Sequence, residues 1–374
     1  MAVTGHTSAL DSPDGGADGG ADHGAGSGEA AAGRGSRSAS IRDVAAAAGV
    51  SYQTVSRVIN NHPSVKLSTR EQVLAAIEDL GFRPNRAARA LAGGPVQSVT
   101  VLTSNTTLYG YTAALQGIEE AARAAGFAVG VSVVESDAPA DVADAVTRAV
   151  EQGGALIVIA HDKAGTRALA AVPPGIPMVA TVETPVGDAG RGKPWVWIDD
   201  RQAARTATRY LLGLGHRTVR YVSIPSSTDS SQRMAGWRAA LEAAGAPVPE
   251  PLYCDWAPRS GYQAGQLLAA DPDVTAVLCG NDDLALGVMR AMHEAGRAIP
   301  DSISIVGFDD TPLSAFFTPA LTTVRLDFAG LGRVCFGLLH SLIDSRADGQ
   351  PGRGPQPELI IRESAGPPPR GGSA

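Results

Sequence analysis

The chain has 374 residues, of which 44% are hydrophobic and 18% charged, and its formal net charge is −7. This length allows two or three globular domains. No apolar run approaches membrane-spanning length, and no charged-then-apolar leader opens the chain. We therefore expect a cytoplasmic, nucleoid-associated protein that makes no contact with membranes.

The cysteines and histidines indicate neither disulfides nor a metal site. Cys254, Cys279 and Cys335 lie far apart, and they have no metal-ligand spacing with one another or with the seven histidines. An odd number of scattered cysteines is typical of reduced thiols in a cytosol.

Both ends of the chain are predicted to be disordered tails. Residues 1–38 consist mostly of Gly, Ala, Asp and Ser, and residues 367–374 are also poor in large apolar side chains. Such segments cannot bury enough apolar surface to offset their chain entropy.

Residues 41–60 read IRDVAAAAGVSYQTVSRVIN, which predicts two short helices joined by a glycine turn. Ser40 and Ser51 occupy positions that favour helix caps, and Gly49 can adopt the left-handed turn between the helices. A small residue, then glycine, then a β-branched residue follow at helix-turn-helix spacing. We predict a helix-turn-helix DNA-binding domain over residues 39–83.

The outward face of the second helix carries side chains suited to reading bases. Gln can bond adenine bidentately and Arg can bond guanine, while Tyr offers a ring and a hydroxyl. The predicted major-groove contacts are Tyr52, Gln53, Ser56 and Arg57. An ordinary helical hairpin is the alternative, but residues 40–94 carry seven basic and four acidic side chains, a local charge of +3 on an acidic protein.

A third helix and a linker follow. Ser68 to Glu71 reads as a capping box, and Gly81 is predicted to end the helix. The expected core face comprises Val73, Leu74, Ile77 and Leu80. Residues 84–96 contain a short helical stretch that would be marginal alone in water, so it is either a plain linker or a helix that needs a partner.

From Ser98 onward short apolar strands alternate with amphipathic helices, which predicts parallel sheets covered by helices. Residues 97–366 are long for one such sheet, so two lobes with a cleft between them are expected. The strand candidates are Val99–Thr103, Ala128–Val134, Ala155–Ile159, Met178–Val182, Val196–Ile198, Thr218–Ser223, Ala276–Leu278 and Ile303–Val306.

The stretches SYQTVSRVIN and STREQVLAAIEDLGFRPNRAARALAG resemble the headpiece of the LacI–GalR family of repressors, and RMAGW, NDDLALG and ISIVGFDD are similar to signatures of its effector domain. The resemblance covers nearly the whole chain after residue 39. It implies an α/β fold class: an N-terminal all-α helix-turn-helix headpiece with a hinge helix, then a two-lobed type I periplasmic-binding-protein-like effector domain. It also implies that the hinge folds on DNA with Leu91 as a minor-groove wedge. Asn85 and Ala88 are predicted as DNA contacts of the same segment.

Ligands of open parallel sheets bind beyond the carboxyl ends of the strands. Leu108 and Tyr111 follow the first strand candidate and are therefore candidates for the effector site. The resemblance implies that Arg233, Asn281 and Asp309 hydrogen-bond the effector. It further implies that Trp256 packs on the effector, and Phe328 in TTVRLDF is predicted to complete the set.

Other residues near strand ends have structural interpretations. Trp237 is expected in the core, Asp282 as the cap of a helix at Leu284, and His161–Asp162 as the cap of a loop. Asp310 can be purely structural.

We predict a homodimeric repressor that binds double-stranded operator DNA and is released by a small-molecule effector, a sugar. A dimer is expected because no leucine heptads follow Arg362. Glu183 and Leu326 depart from the family's best-known pattern, so the effector stays open. The alternatives are a family member that uses a purine or a phosphoprotein corepressor, an activator, and a sugar-binding or sugar-modifying protein with no DNA role. No G-x-G-x-x-G follows a strand and no P-loop occurs, so neither an enzyme nor a cofactor is expected.

Overall fold

The computed structural model describes residues 39–59, 64–82, 98–183, 193–226, 231–344 and 352–369. The predicted hinge over 84–96, with Asn85, Ala88 and Leu91, lies outside these ranges, as do residues 1–38 and 370–374. Contacts divide the chain into two compact units, residues 1–93 and residues 94–374.

The first unit contains three helices within its described residues: α1 (Ile41–Ala47), α2 (Tyr52–Ile59) and α3 (Leu67–Asp79). The Ser40 hydroxyl accepts a hydrogen bond from Asp43 N, and the Asp43 carboxylate accepts one from Ser40 N at 2.7 Å, which completes a capping box. Gly49 has a φ of 61°, the left-handed turn that was predicted. The buried core of this unit consists of Val44, Ala45, Val55, Val58, Val73 and Ala76.

Helix α3 corrects two predictions. It begins at Leu67 after Lys66, which makes no side-chain cap, so Ser68 lies inside the first turn and no capping box forms there. Leu74 and Leu80 are 52% and 40% exposed, because the helix turns about 100° per residue and its buried stripe runs through Val73 and Ala76. The predicted end of the helix is confirmed, since Gly81 has a φ of 57°.

The second unit contains two α/β lobes, each built on a six-stranded sheet in the described part of the chain. The strands of lobe 1 are β1 (Ser98–Thr103), β2 (Ala128–Val133), β3 (Ala155–Ala160), β4 (Met178–Val182), β5 (Trp195–Trp197) and β11 (Gly352–Arg353). They pair in parallel in the order β11-β5-β4-β3-β1-β2. Every residue of β3 is buried, as expected for a central parallel strand covered on both faces.

Lobe 2 repeats this plan. Its strands are β6 (Arg220–Ser223), β7 (Leu252–Tyr253), β8 (Ala276–Cys279), β9 (Ser304–Asp309), β10 (Thr322–Arg325) and β12 (Glu358–Ile360). They pair in the order β12-β10-β9-β8-β6-β7, and only the edge strand β12 joins antiparallel. All eight predicted strands are therefore present; β4 has the predicted ends, and the other seven have shifted ends.

Helices cover both sheets. In lobe 1 they are α4 (Tyr109–Ala124), α5 (Pro139–Glu151), α6 (Lys163–Ala171) and α11 (Phe328–Ile343); in lobe 2 they are α7 (Asp200–Gly213), α8 (Gln232–Ala243), α9 (Pro258–Ala269) and α10 (Asp282–Glu294). Helices α4 and α11 approach so closely that a Cβ on Gly117 would lie 1.9 Å from the Ala329 carbonyl oxygen. Glycine is needed there because the two backbones are in contact.

The chain passes between the lobes at 198–199, 326–327 and 354–357, because α7 packs on lobe 2, α11 packs on lobe 1, and β11 and β12 belong to different sheets. Two of these crossings end at helix starts, Asp200 and Phe328. These crossings bring both residues to the junction of the lobes.

The C-terminal segment is attached to lobe 2. The Gly366 carbonyl accepts a hydrogen bond from Ser304 Oγ at 2.9 Å and lies 3.0 Å from His216 Nε2. The predicted C-terminal tail thus begins directly after an anchored residue, and its first three residues, 367–369, are described.

Candidate functional site

A cleft lies between the two lobes, and the space in it amounts to about 730 Å³ when the solvent at its open mouth is included. The seven predicted effector residues all line it: Leu108, Tyr111, Arg233, Trp256, Asn281, Asp309 and Phe328. Lobe 1 contributes the first two and Phe328 from α11, and lobe 2 contributes the others. The fold therefore brings together residues that are up to 220 positions apart in the sequence.

Arg233 is the most extensively bonded side chain of this cleft. It is the second residue of α8, whose first turn is capped by Ser231. The Arg233 guanidinium donates from Nε to Asp200 Oδ2 at 2.9 Å and from Nη1 to the Gly280 carbonyl. It also lies 4.6 Å above the ring of Phe308. These contacts hold the guanidinium at the floor of the cleft.

Asp309 faces the same guanidinium from the end of β9, with 3.4 Å between its Oδ1 and Arg233 Nη1. Burial raises the pKa of Asp309 well above its usual range, while Arg233 pulls that pKa down. Burial would lower the pKa of Arg233, but Asp200 and Asp309 raise it above its usual value. Asp309 Oδ1 is buried without a hydrogen-bond partner among the described residues, so it can accept one from a bound hydroxyl.

The backbone of Asp309 has a φ of 105°, a conformation that L-residues rarely adopt. The next residue, Asp310, also has a positive φ and accepts hydrogen bonds from Arg325 and Arg362 at 2.8 and 2.6 Å. Asp310 therefore has the structural role that was expected, and its ion pairs fix the turn that presents Asp309 to the cleft.

The start of α10 corrects the predicted cap. Asn281, not Asp282, is the N-cap: its Oδ1 accepts from Leu284 N at 2.8 Å, and its Nδ2 donates to the Trp256 carbonyl at 3.3 Å. The helix begins at Asp282, two residues before Leu284, so the capping position falls on Asn281. The Asn281 amide thus positions the Trp256 backbone as well as lining the cleft.

Asp282 is instead a buried anchor beneath the cleft. It accepts hydrogen bonds from Thr311 N at 2.9 Å and from the hydroxyls of Ser314 and Thr323 at 2.5 Å. Burial raises the pKa of Asp282 to about 6, against the effect of these donors. The carboxylate joins α10 to the segment after β9 and thereby supports Asp309.

Tyr111 lines the cleft with its ring, while its hydroxyl is bonded within lobe 1. The hydroxyl donates to Asp162 Oδ2 at 3.0 Å, and Ser104 Oγ donates to the same oxygen at 2.5 Å. Asp162 Oδ1 caps α6 by accepting from Gly165 N. The predicted loop cap at His161–Asp162 is therefore wrong: Asp162 alone caps, and the element it caps is a helix.

Trp237 lies in the core, as predicted. It is fully buried, donates from Nε1 to the Val219 carbonyl at 2.9 Å, and stacks on Tyr221 with ring centroids 5.4 Å apart.

Further polar residues in the described part of the chain line the cleft and were not among the predicted site residues, among them His161, Glu183, Asp200 and Asp283. Strands β3, β4 and β5 are followed by His161, Glu183 and Asp200, respectively. The strand-end rule that selected Leu108 and Tyr111 therefore also selects these three residues. His161 packs edge-on against Tyr111 with ring centroids 5.6 Å apart. Burial lowers the pKa of His161 to about 4, which keeps the imidazole neutral at neutral pH.

Glu183 connects the two lobes. It follows β4 of lobe 1, and its carboxylate accepts hydrogen bonds from Ser226 Oγ at 3.0 Å and from Gln232 N at 3.3 Å in lobe 2. Gln232 N is at the start of α8, where a helix dipole favours a negative charge. The position that departs from the family pattern is therefore a contact between lobes.

In the headpiece, α2 exposes most of the residues predicted to read DNA. Tyr52, Gln53 and Arg57 are exposed, Ser56 is partly buried, and Val55 and Val58 on the opposite side are buried. Ser51 Oγ accepts from Thr54 N at 3.2 Å, which confirms the predicted cap. The helix is thus packed through one side and presents a polar face on the other.

Within the described ranges, no helix is both long and apolar enough to cross a membrane. The same residues contain no group of three or more His, Cys, Asp or Glu side chains arranged to hold a metal ion.

Comparisons with known proteins match both units. Residues 40–85 match the family "Bacterial regulatory proteins, lacI family", and residues 208–365 match a periplasmic binding protein-like domain. The lactose operon repressor of Escherichia coli (strain K12) is 33% identical over 312 residues, covering 82% of this chain and 85% of the relative. The transcriptional regulator GalS of Salmonella typhimurium is 34% identical, covering 79% and 87%.

A crystal structure of the lac repressor dimer bound to operator and the anti-inducer ONPF superposes with a TM-score of 0.78 at 32% identity, covering 88% of this chain and 99% of that one. These similarities extend over headpiece and lobes alike. The chain belongs to the LacI family of bacterial transcriptional regulators.

Proposed function

We propose that this protein is a homodimeric cytoplasmic repressor that holds operator DNA through α2 and releases it when an uncharged sugar or glycoside binds in the cleft. The observation that carries the proposal is the Arg233 cluster at the junction of the lobes, in a chain whose α2 exposes Tyr52, Gln53 and Arg57. The operator and dimer in the lac repressor structure support the DNA-binding part.

The charges of the cleft favour an uncharged ligand rich in hydroxyl groups. Carboxylates of Glu183, Asp200 and Asp283 line it together with the Arg233 guanidinium, so a phosphate or carboxylate ligand would meet net repulsion. An ionised carboxylate accepts from hydroxyl hydrogens, and a guanidinium donates to hydroxyl oxygens. Trp256 and Phe328 add flat apolar faces suited to the C–H side of a sugar ring.

The position of the cleft supports a switch between two arrangements of the lobes. A ligand that contacts both lobes binds most tightly in one arrangement, and this difference in binding free energy shifts the population. Because α7 and α11 begin at crossings between the lobes, a change of lobe angle moves both helices.

The DNA-binding part is tested by in vitro selection from random duplex DNA with the full chain. We expect enrichment of a near-palindromic sequence, since a symmetric dimer reads two half-sites. Recovery of unselected sequences only would contradict a sequence-specific regulator.

The effector part is tested by thermal shift against neutral mono- and disaccharides, their phosphorylated forms, and purines. A ligand that binds the folded state raises Tm by mass action. We expect a rise with a neutral sugar or glycoside and release of the selected operator by the same compound. A rise with purines or phosphorylated sugars alone would overturn the proposed effector class.

A further inference from the structure

Most polar side chains of the cleft already have partners within the protein. Arg233 donates hydrogen bonds to Asp200 and to the Gly280 carbonyl, and it forms an ion pair with Asp309. The Tyr111 hydroxyl is bonded to Asp162, and the Asn281 amide is used at the start of α10. A bound effector therefore competes with existing contacts at these residues.

The side chains of His161 and Asp283 differ from these, as does Asp309 Oδ1, which has no hydrogen-bond partner among the described residues. His161 and Asp283 line the cleft, and neither makes a hydrogen bond or an ion pair with another residue in the part of the chain that the structure describes. His161 makes an edge-on ring contact with Tyr111 that leaves its nitrogens unused. Both residues are partly buried. Each can therefore form further hydrogen bonds at a position with reduced access to water.

The two residues belong to opposite lobes. His161 follows β3 in lobe 1, and Asp283 is the second residue of α10 in lobe 2. Both lie at the carboxyl ends of central strands, which is where open α/β sheets bind ligands. The first turn of α10 also favours a negative charge at Asp283 through the helix dipole.

We infer that His161 and Asp283 form the cross-cleft pair that selects the effector, each bonding a different group of the same ligand and so coupling ligand binding to lobe closure. This inference rests on the proposed function, because it concerns the same cleft. The inference extends the proposed function by naming the residues that recognise the ligand and the way in which their contacts span the lobes.

The chemistry of the pair restricts the ligand. A carboxylate only accepts hydrogen bonds, so the ligand must present a donor to Asp283. A neutral imidazole has one donor and one acceptor nitrogen, so His161 suits a hydroxyl, which can serve as either. A partly buried polar group without a partner is unfavourable, and a ligand that satisfies both groups removes that penalty on both lobes at once.

The experiment measures sugar binding to the full chain by isothermal titration calorimetry, with cellobiose, lactose, galactose and glucose 6-phosphate as probes. The variants are His161→Phe and Asp283→Asn, with His161→Asn and Asp283→Ser as smaller replacements if either fails to fold. Matched controls are His293→Asn and Glu294→Gln, which replace a histidine and an acidic side chain at exposed positions of α10.

For the neutral sugar that binds the wild type, we expect each variant to weaken affinity by about tenfold or more, because a hydrogen bond to a partly buried group is lost. The controls should bind as the wild type does, and all variants should bind the selected operator equally well without sugar. If either His161→Phe or Asp283→Asn keeps wild-type affinity, the cross-cleft pair is overturned.

Small-angle scattering tests the coupling to closure. The sugar should reduce the radius of gyration of the wild type, and the variants at saturating sugar should show a smaller reduction; an equal reduction would also overturn the inference. A failure of the proposed function would give a different result. The wild type itself would then bind none of the neutral sugars of the wider panel.

Discussion

Arg233 Nε lies 2.9 Å from Asp200 Oδ2, and Asp200 is the first residue after the chain has crossed from lobe 1. The ion pair therefore joins the floor of the cleft directly to a connection between the lobes. Both side chains are buried, with exposed fractions of 7% and 11%. At a buried site, removing one partner of an ion pair lowers the free energy of unfolding by more than the intact pair contributes to it. The reason is that the remaining charge then has no compensating partner.

Arg233→Met should therefore affect both stability and function. We expect it to lower the free energy of unfolding by about 3–5 kcal/mol, because Asp200 and Asp309 lose their cation. It should also abolish operator release by the effector, leaving a repressor that stays on DNA. Urea unfolding and operator titrations across effector concentrations measure the two effects.

The double variant Arg233→Met with Asp200→Asn is the control for this loss. Removing the uncompensated carboxylate should restore part of the stability but none of the effector response. A double variant that is less stable than Arg233→Met alone would show that the charge of Asp200 is stabilising for another reason. A single variant that releases DNA at the wild-type effector midpoint would remove Arg233 from the effector site.

The exposed face of α2 predicts a sequence-dependent loss of DNA binding. Gln53→Ala and Arg57→Ala should each cost about 1–3 kcal/mol on the selected operator and much less on random duplex DNA. The reason is that bidentate contacts to base edges exist only on the correct sequence. Fluorescence anisotropy on both DNAs at one salt concentration measures the difference.

Lys66→Ala is a suitable comparison, because Lys66 is exposed at the start of α3 and makes no side-chain cap. A contact between an ammonium and a phosphate would lower the affinity for both DNAs alike and reduce the salt dependence. Equal losses on both DNAs for Gln53→Ala and Arg57→Ala would mean that these side chains contact only phosphates.

The contacts of Glu183 predict that the equilibrium between the two arrangements of the lobes can be shifted without altering the floor of the cleft. Glu183→Gln removes the charge that faces α8 and weakens the bonds from Ser226 and Gln232 N. We expect effector affinity to fall severalfold, in keeping with about 0.5–1.5 kcal/mol for a hydrogen bond. Ser226→Ala removes one of these bonds and should act in the same direction with a smaller effect. Unchanged affinity in Glu183→Gln would show that these bonds do not differ between the two arrangements of the lobes.

The sequence predicted the elements that depend on local pattern. The strands, the turns at Gly49 and Gly81, and the cleft location of Leu108 and Tyr111 follow from periodicity, turn chemistry and the position of strand ends. The cap of α10 was assigned to Asp282 because the helix was expected two residues later, and a cap moves with the helix start. Boundaries depend on tertiary contacts, here the hydrogen bonds that hold Asp282 below the cleft.

The role proposed for His161 and Asp283 does not follow from pattern alone. Each is one polar residue among many near strand ends, and what distinguishes them is that their neighbours are bonded elsewhere. Leu74 of α3 is a similar case in the headpiece: its apolar type suggested a core position, but the buried stripe of the helix passes beside it. Both outcomes depend on which surfaces meet in three dimensions.

His161 also predicts a pH dependence of stability. Its pKa is lowered from an ordinary 6.5 to about 4, mainly by burial, with Asp200 and Asp162 opposing and Arg233 adding to the shift. The unfolded chain therefore takes up this proton near pH 6.5, whereas the native protein does so only near pH 4. Stability associated with neutral His161 is complete above pH 6.5 and is lost as the pH falls toward 4.

The test compares His161→Gln with the wild type at pH 7 and at pH 5. Glutamine does not titrate, so the stability difference between the two proteins should shift by about 2 kcal/mol in favour of the variant on going to pH 5. Carboxylates that titrate over the same range, Asp282 among them, cancel in this comparison because both proteins contain them. His293→Gln, which replaces an exposed histidine of α10, is the control for loss of a histidine elsewhere in the protein. A His161→Gln difference that stays constant between pH 7 and pH 5 would mean that His161 protonates equally in the native and unfolded states, which contradicts its burial in the cleft wall.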